Sequence, residues 1–342
     1  MSRDESEFNL VTPQELFSYE AMRNNLALNG VQNLAIIFNP VLAKVELCRM
    51  ITKKIKIQEV SKMLITNVNI ITEKIPCGYI NVEDDVITDV GYMENCPSSN
   101  DVYDGKGCFA VPGFIDAHTH LYNNDYGYFD KAFNCGITLV AVSPDSSKPV
   151  GGEIKLVSTK TKETVGVCGI KLALGENPSK NFENATEIVL EEIEKAESAV
   201  FLHVHSKEDI DLVKGKNVVF VHGTDCQGKC RIIAGPMLTD ISKKEMEKLS
   251  YENLVRQYKE GSVIAICSDH PETPVDFLQL YAQLVVKYGV DKDDALLMIT
   301  KNPAQLLGVD DCYGSIKINQ KGGVLIFDRH PMDFYSRLIK IL

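Results

Sequence analysis

From Val111 to about Leu307 the sequence repeats one unit, a short apolar run followed by a polar or helical segment. The runs are Val111–Ile115, Ile137–Val142, Ile170–Leu174, Ala199–Val204, Val218–Val221, Ile232–Ala234 and Val263–Cys267. Near-continuous Val/Ile/Leu runs read as strands buried on both faces, the pattern of a parallel sheet. Helical stretches lie between them. Asn184-Ala-Thr-Glu187 reads as a capping box that opens a helix to about Glu197. Asp276–Tyr288 and Lys292–Leu307 carry helical periodicity, with Phe277, Leu280 and Leu284 as the expected core face of the former. Alternation of this extent defines an α/β fold and points to a TIM-like (β/α)8 barrel, which needs eight strands. Seven are evident; Glu153–Thr159 supplies an eighth, or the barrel is trimmed.

The flanks have a different rhythm. Met63–Thr72, Gly78–Val90 and Gly314–Phe327 place β-branched residues at period two, with turn residues between them. Residues 63–110 and 313–330 therefore read as a small composite β-sandwich beside a barrel formed by residues 111–312. Residues 1–62 read as a mostly helical extension without chemistry. Thr12 and Pro13 open a helix to Ala27, and a second apolar stretch runs from Asn33 to Met50. The tail beyond His330 is too short to interpret.

Chemistry collects where the apolar runs end. In a strand, residues two apart share a face, so His118 and His120 converge, and Asp116 is expected on their side. Glu176, His203, His222 and Asp269 follow at later run ends, with His205 close by. In a parallel barrel all strand C-termini open on one mouth, which gathers these residues. Neutral imidazoles and carboxylates suit Zn²⁺ or a similar divalent ion. Such an ion polarises a carbonyl and lowers the pKa of water from about 15.7 to about 7. A neighbouring carboxylate can take the proton from water and pass it to a leaving amine. Tyr122, Tyr126 and Tyr128 read as loop residues that either line the pocket or simply pack, His270 as pointing away from the site, and Asn302-Pro303-Ala304 as packing. The pair Cys226 and Cys230 lacks zinc-finger spacing and reads as a loop pair without function.

Pro112-Gly-Phe-Ile-Asp-Ala-His-Thr-His120 resembles the first-strand signature of the metal-dependent amidohydrolase superfamily. Gly169-Ile-Lys-Leu-Ala-Leu-Gly-Glu-Asn-Pro178, Phe220-Val-His-Gly223, Ser268-Asp-His-Pro271, Thr300-Lys-Asn-Pro-Ala-Gln-Leu-Leu-Gly308 and the Gly314–Phe327 segment extend the likeness. In combination they are similar to its imidazolonepropionase-like and prolidase-like branch, over about residues 63–330. The resemblance implies a (β/α)8 barrel with a flanking β-sandwich and a site holding one or two divalent ions, zinc first among them. It implies that His118, His120 and Asp269 bind the first metal. His203 and His222 would be the middle-strand ligands, and Asp269 would double as general base. Branches of the superfamily bridge the metals with a carboxylated lysine or with a glutamate, and Lys171 and Glu176 are both present. Five residues apart, they fall on opposite faces of an extended strand. Glu176, nearer the mouth, is the expected ligand, and Lys171 then reads as a strand-end lysine reaching solvent. The connections His120–Gly136 and His205–Val218 are short for the family, which trims the elements that select substrate.

A net charge of -11 over 342 residues argues against nucleic acid or an anionic membrane as partner. No apolar run is long enough to span a bilayer, and the N-terminus lacks the basic-then-apolar pattern of a secretory signal. Ten scattered cysteines read as reduced, cytoplasmic thiols. The expected activity is hydrolysis of a C–N bond in a small amide, cyclic amide or dipeptide, by a protein that forms a homo-oligomer or acts alone. A hydrolytic deaminase is the close rival, and a non-catalytic binding relative the alternative from another class.

Overall fold

The computed structural model describes residues 62–121, 126–144, 149–174, 185–204, 207–213, 216–237 and 250–342. The expected N-terminal helix, Tyr122, Glu176, the Asn184 cap and His205 lie outside these residues.

Eight strands form the barrel sheet, in chain order around it: β6 (Phe114–Thr119), β7 (Ile137–Val142), β8 (Val150–Ser158), β9 (Thr164–Ala173), β10 (Ala199–His203), β11 (Val218–Val221), β12 (Arg231–Ala234) and β13 (Val263–Ile266). All neighbours are parallel except that β8 runs antiparallel to both β7 and β9. The stretch Glu153–Thr159 does contribute the eighth strand, but against the expected direction. The reason is chain length: residues 143–149 and 159–163 are too short to carry a crossover helix, which a parallel return requires. β8 and β9 are instead a hairpin, closed by Ser158 N–H on Glu163 O at 3.0 Å. The sheet is nearly closed where β6 meets the end of β13. There Asp269 N–H donates to His118 O at 3.1 Å and His120 N–H to His270 O at 2.7 Å.

The barrel is filled as a core. Ile115, Ala117, Leu139, Ala141, Phe201, Val219, Val221, Ile233, Ala265 and Cys267 alternate inward from successive strands. Residues of opposite parity, such as Val140, Leu202, Phe220, Ile232 and Ile264, pack outward against helices. The described helices are α1 (Tyr126–Asn134), α2 (Ala185–Lys195), α3 (Lys207–Leu212), α4 (Tyr251–Lys259), α5 (Leu278–Lys287), α6 (Lys292–Leu297) and α7 (Lys301–Leu306). Lys292–Leu307 is thus two helices rather than one. The break falls where Met298 O accepts Ile266 N–H at 2.9 Å and Ile299 O accepts Ile115 N–H at 2.8 Å. Those carbonyls serve the barrel strands instead of a helix. Ala304, Leu306 and Leu307 then join the interior cluster, and Asn302 Nδ2 donates to Ile264 O at 2.8 Å, a packing role as the sequence suggests. The expected face of α5 is corrected. Leu278, Tyr281, Ala282 and Val285 are buried, while Phe277 is 36% exposed. Apolar residues surround this helix, so periodicity alone does not choose the docked stripe.

The flanking element is one mixed sheet of seven strands. β1 (Lys62–Ile70) pairs antiparallel with β2 (Ile75–Glu83), which pairs with β3 (Val86–Tyr92). β4 (Val102–Asp104) and β5 (Phe109–Pro112) pair parallel to β1, and β14 (Val324–Phe327) joins antiparallel to β5. The sheet is therefore assembled from both sides of the barrel sequence. The short tail adds β15 (Leu338–Ile341) at its edge. The apolar run Val111–Ile115 divides between the two sheets at Gly113. A Cβ there would lie 2.1 Å from Thr138 Oγ1 and 2.3 Å from Gly322 O, so only glycine permits the crossing. Among the described residues no helix is long and apolar enough to cross a membrane.

Candidate metal centre

His118 on β6 sits at the middle of four imidazoles. Its ring centroid is 4.9 Å from that of His120 and 5.5 Å from those of His203 and His222, and the His203 and His222 rings are 4.2 Å apart. Asp269, just past β13, reaches the same place. Its Oδ1 is 3.4 Å from His118 Nε2 and 3.8 Å from His120 Nε2, and its Oδ2 is 3.8 Å from His222 Nε2. Ligand atoms of His118, His203 and His222, and of His118, His120 and Asp269, fall within 4.8 Å of one another. Two overlapping triads share His118.

The donor atoms face inward in the form a cation needs. His120 Nδ1 donates to Ser143 O at 3.2 Å, and His222 Nδ1 donates to Gly235 O. A carbonyl oxygen only accepts, so Nδ1 carries the proton in both rings and Nε2 presents its lone pair toward Asp269. Ring nitrogens held in this way by backbone carbonyls are the usual support of metal-binding histidines. His118 is 1% exposed, and its Nε2 is buried without a hydrogen bond. Burial holds its pKa well below the ordinary histidine value, and the neighbouring Lys171 ammonium adds to that. A neutral, desolvated imidazole with an unsatisfied nitrogen beside a carboxylate suits a divalent cation, and the residues present fit one.

Two of these positions are strained. His222 has φ 67° and Asp269 has φ 53°, the left-handed region that costs a residue with a Cβ about 1–2 kcal/mol. The twist at His222 turns inward a side chain whose parity along β11 would aim it outward, since Val219 and Val221 already line the interior. A similar irregularity serves His118: the register of β6 on β7 shifts between Asp116 and Thr119.

That shift overturns the expectation that Asp116 shares the face of the histidines. Asp116 is fully buried and turned to the β13 side. Its Oδ1 accepts Ser268 N–H at 3.0 Å and His118 N–H at 3.4 Å, and its Oδ2 accepts the Ser268 hydroxyl at 2.5 Å. Burial pushes its pKa up to about 6, against the lowering effect of these hydrogen bonds. Lys171 is also corrected. It is 1% exposed on the inner parity of β9, its Nζ donates to Pro144 O at 3.3 Å, and its charge is felt at His118. It does not reach solvent. His270 does turn away from the cluster, as expected. Its ring lies 4.7 Å from that of buried Tyr128, and both border a cavity of about 330 Å³ with Gly127 and Lys131. The backbone acceptors Ser143 O and Gly235 O carry no side-chain signal, and Ser268 was visible only as a member of the Ser268–Pro271 motif. Cys226 and Cys230 form no disulfide, and their hydrogen bond together with burial raises the Cys226 pKa.

Solved structures share this fold. An amidohydrolase from Thermotoga maritima MSB8 superposes with a TM-score of 0.70 at 24% identity, covering 82% of this chain and 98% of that one. A prolidase, described as putative, from Bifidobacterium longum gives 0.62 at 19% identity, covering 83% and 93%. Molinate hydrolase gives 0.60 at 15% identity, covering 83% and 94%. No family model matches the chain, and no curated protein matches it by sequence. The chain thus shares its fold with these solved hydrolases.

Proposed function

We propose that the protein is a metal-dependent hydrolase that cleaves a C–N bond of a small amide, cyclic amide or dipeptide. The observation that carries this reading is the convergence of His118, His120, His203 and His222 with Asp269, ligand atoms turned inward, around the unsatisfied His118 Nε2. The fold shared with amidohydrolase, prolidase and molinate hydrolase structures supports it.

In this reading His118, His120, His203, His222 and Asp269 hold one or two divalent ions, with zinc the proposed species. Bound there, such an ion supplies Lewis acidity toward the scissile carbonyl and lowers the pKa of water. Asp269 takes the proton from the attacking water at a carboxylate oxygen and delivers it to the leaving nitrogen. The backbone carbonyls of Ser143 and Gly235 hold the His120 and His222 rings in one tautomer throughout. Glu176 is the glutamate candidate for a bridging ligand. The burial and inward parity of Lys171, with its charge felt at His118, support the lysine in that place.

The test is a screen of the purified chain against amides, cyclic amides and dipeptides with added Zn²⁺ or Mn²⁺. Turnover that disappears in Asp269→Asn supports the reading. Ammonia released from amino-substituted rings alone would make it a deaminase. No turnover of any member, with stoichiometric metal bound, would leave the fold as a binding module.

A further inference from the structure

β6 and β13 are the two ends of the barrel sheet, and the site has ligands at both: His118 and His120 on one side, Asp269 on the other. The geometry of the site therefore depends on how this seam is held. Asp116 and Ser268, 152 positions apart in sequence, meet across it, both fully buried. One carboxylate oxygen of Asp116 accepts the Ser268 N–H at 3.0 Å and the other accepts the Ser268 hydroxyl at 2.5 Å. The Ser268 hydroxyl oxygen in turn accepts His270 N–H at 3.1 Å, and Ser268 O accepts the Thr273 hydroxyl at 2.5 Å. The residues on either side of Asp269 are thus fixed by side chains, while its own N–H donates to His118 O at 3.1 Å. Asp269 holds a left-handed backbone at φ 53°, a conformation that persists only where its surroundings impose it. Both Asp116 oxygens are occupied by these donors, and neither is directed to the ligand cluster.

We infer that Asp116 and Ser268 are positioning residues: they clamp Asp269 in its left-handed conformation and set its distance from His118 and His120, and so set the affinity of the site for a divalent ion. This rests on the metal reading above. The clamp touches no side-chain ligand atom and acts through the backbone of His118 and of residues 268–270. Supports of this kind commonly change metal affinity by about 10–100-fold when removed.

The experiment is Co²⁺ titration of the full chain against a chromophoric chelator, with the Co²⁺ d–d absorption recorded at saturation. Ser268→Ala, which only deletes a hydroxyl, is expected to weaken Co²⁺ by about tenfold or more and to alter the d–d bands. Asp116→Ala is expected to weaken it further. Asp116→Asn, which keeps an oxygen for the Ser268 N–H, is expected to recover most of that loss. Far-UV circular dichroism of the metal-free variants checks that they fold, and Ser268→Ala decides the matter where Asp116→Ala does not. Wild-type affinity and an unchanged spectrum in Ser268→Ala would overturn the clamp while leaving the metal reading intact. A wild-type chain that takes up no Co²⁺ would overturn the metal reading and the clamp with it.

Discussion

Asp269 Oδ1 stands 3.4 Å from His118 Nε2, across the seam where the last barrel strand meets the first. With two rings held as Nδ1–H tautomers on either side of it, this carboxylate is the one acidic group among the described residues in both position and form to serve as ligand and as base. Asp269→Asn keeps the shape and removes the charge. On a substrate found by screening, kcat/KM is expected to fall by about 10²–10⁴, the usual contribution of general acid–base catalysis, with more lost if metal is also released. Activity within threefold of wild type would remove Asp269 from the reaction.

Lys171 and Glu176 make a second, separable test. Lys171 is buried on the inner parity of β9, and its charge is felt at His118. Lys171→Met is expected to lower the metal bound per chain, and Glu176→Gln to leave it unchanged, both read by elemental analysis after dialysis. The reverse pattern would return the bridging role to the glutamate.

Asp116 provides a pH dependence whose sign is fixed. Its pKa rises from 3.8 to about 6 on folding, so the folded state binds the proton more tightly. Linkage then gives stability that is full below about 3.8 and lost as pH rises through about 6. The shift corresponds to on the order of 3 kcal/mol. The stability of the wild type relative to Asp116→Asn is therefore expected to increase as pH falls from 6 toward 4, measured by urea unfolding of the metal-free proteins. A difference that does not change with pH would contradict the burial argument.

The docked face of α5 is tested by a pair of truncations. Tyr281 is fully buried and Phe277 is 36% exposed. Tyr281→Ala is expected to cost about 3–5 kcal/mol and Phe277→Ala less than about 1 kcal/mol, read as shifts in denaturant midpoint. Comparable losses at both sites would mean that the helix is docked on the other stripe.

These particulars show which parts of the molecule a sequence exposes. The convergence of the candidate residues was legible because a parallel barrel gathers strand ends, and His118, His120, His203, His222 and Asp269 each follow an apolar run. The antiparallel course of β8 was also within reach, since the connections before and after it are too short for a helix. The division at Gly113 was not legible, because the apolar run passes unbroken through a glycine whose necessity lies in Thr138 and Gly322. Nor was the turning of Asp116 away from the histidines. It depends on a register shift in β6 and on a partner 152 positions later. For α5 the pattern held two apolar stripes, and tertiary packing chose between them.

Metal content is the decisive readout of whether the five converging side chains hold a divalent ion. Purified wild-type chain, stripped with chelator and dialysed against Zn²⁺, is predicted to retain about one or two equivalents by elemental analysis, and His118→Ala to retain less than half of that, because His118 belongs to both triads. Absence of stoichiometric metal in the wild type, or equal retention by His118→Ala, would contradict the account.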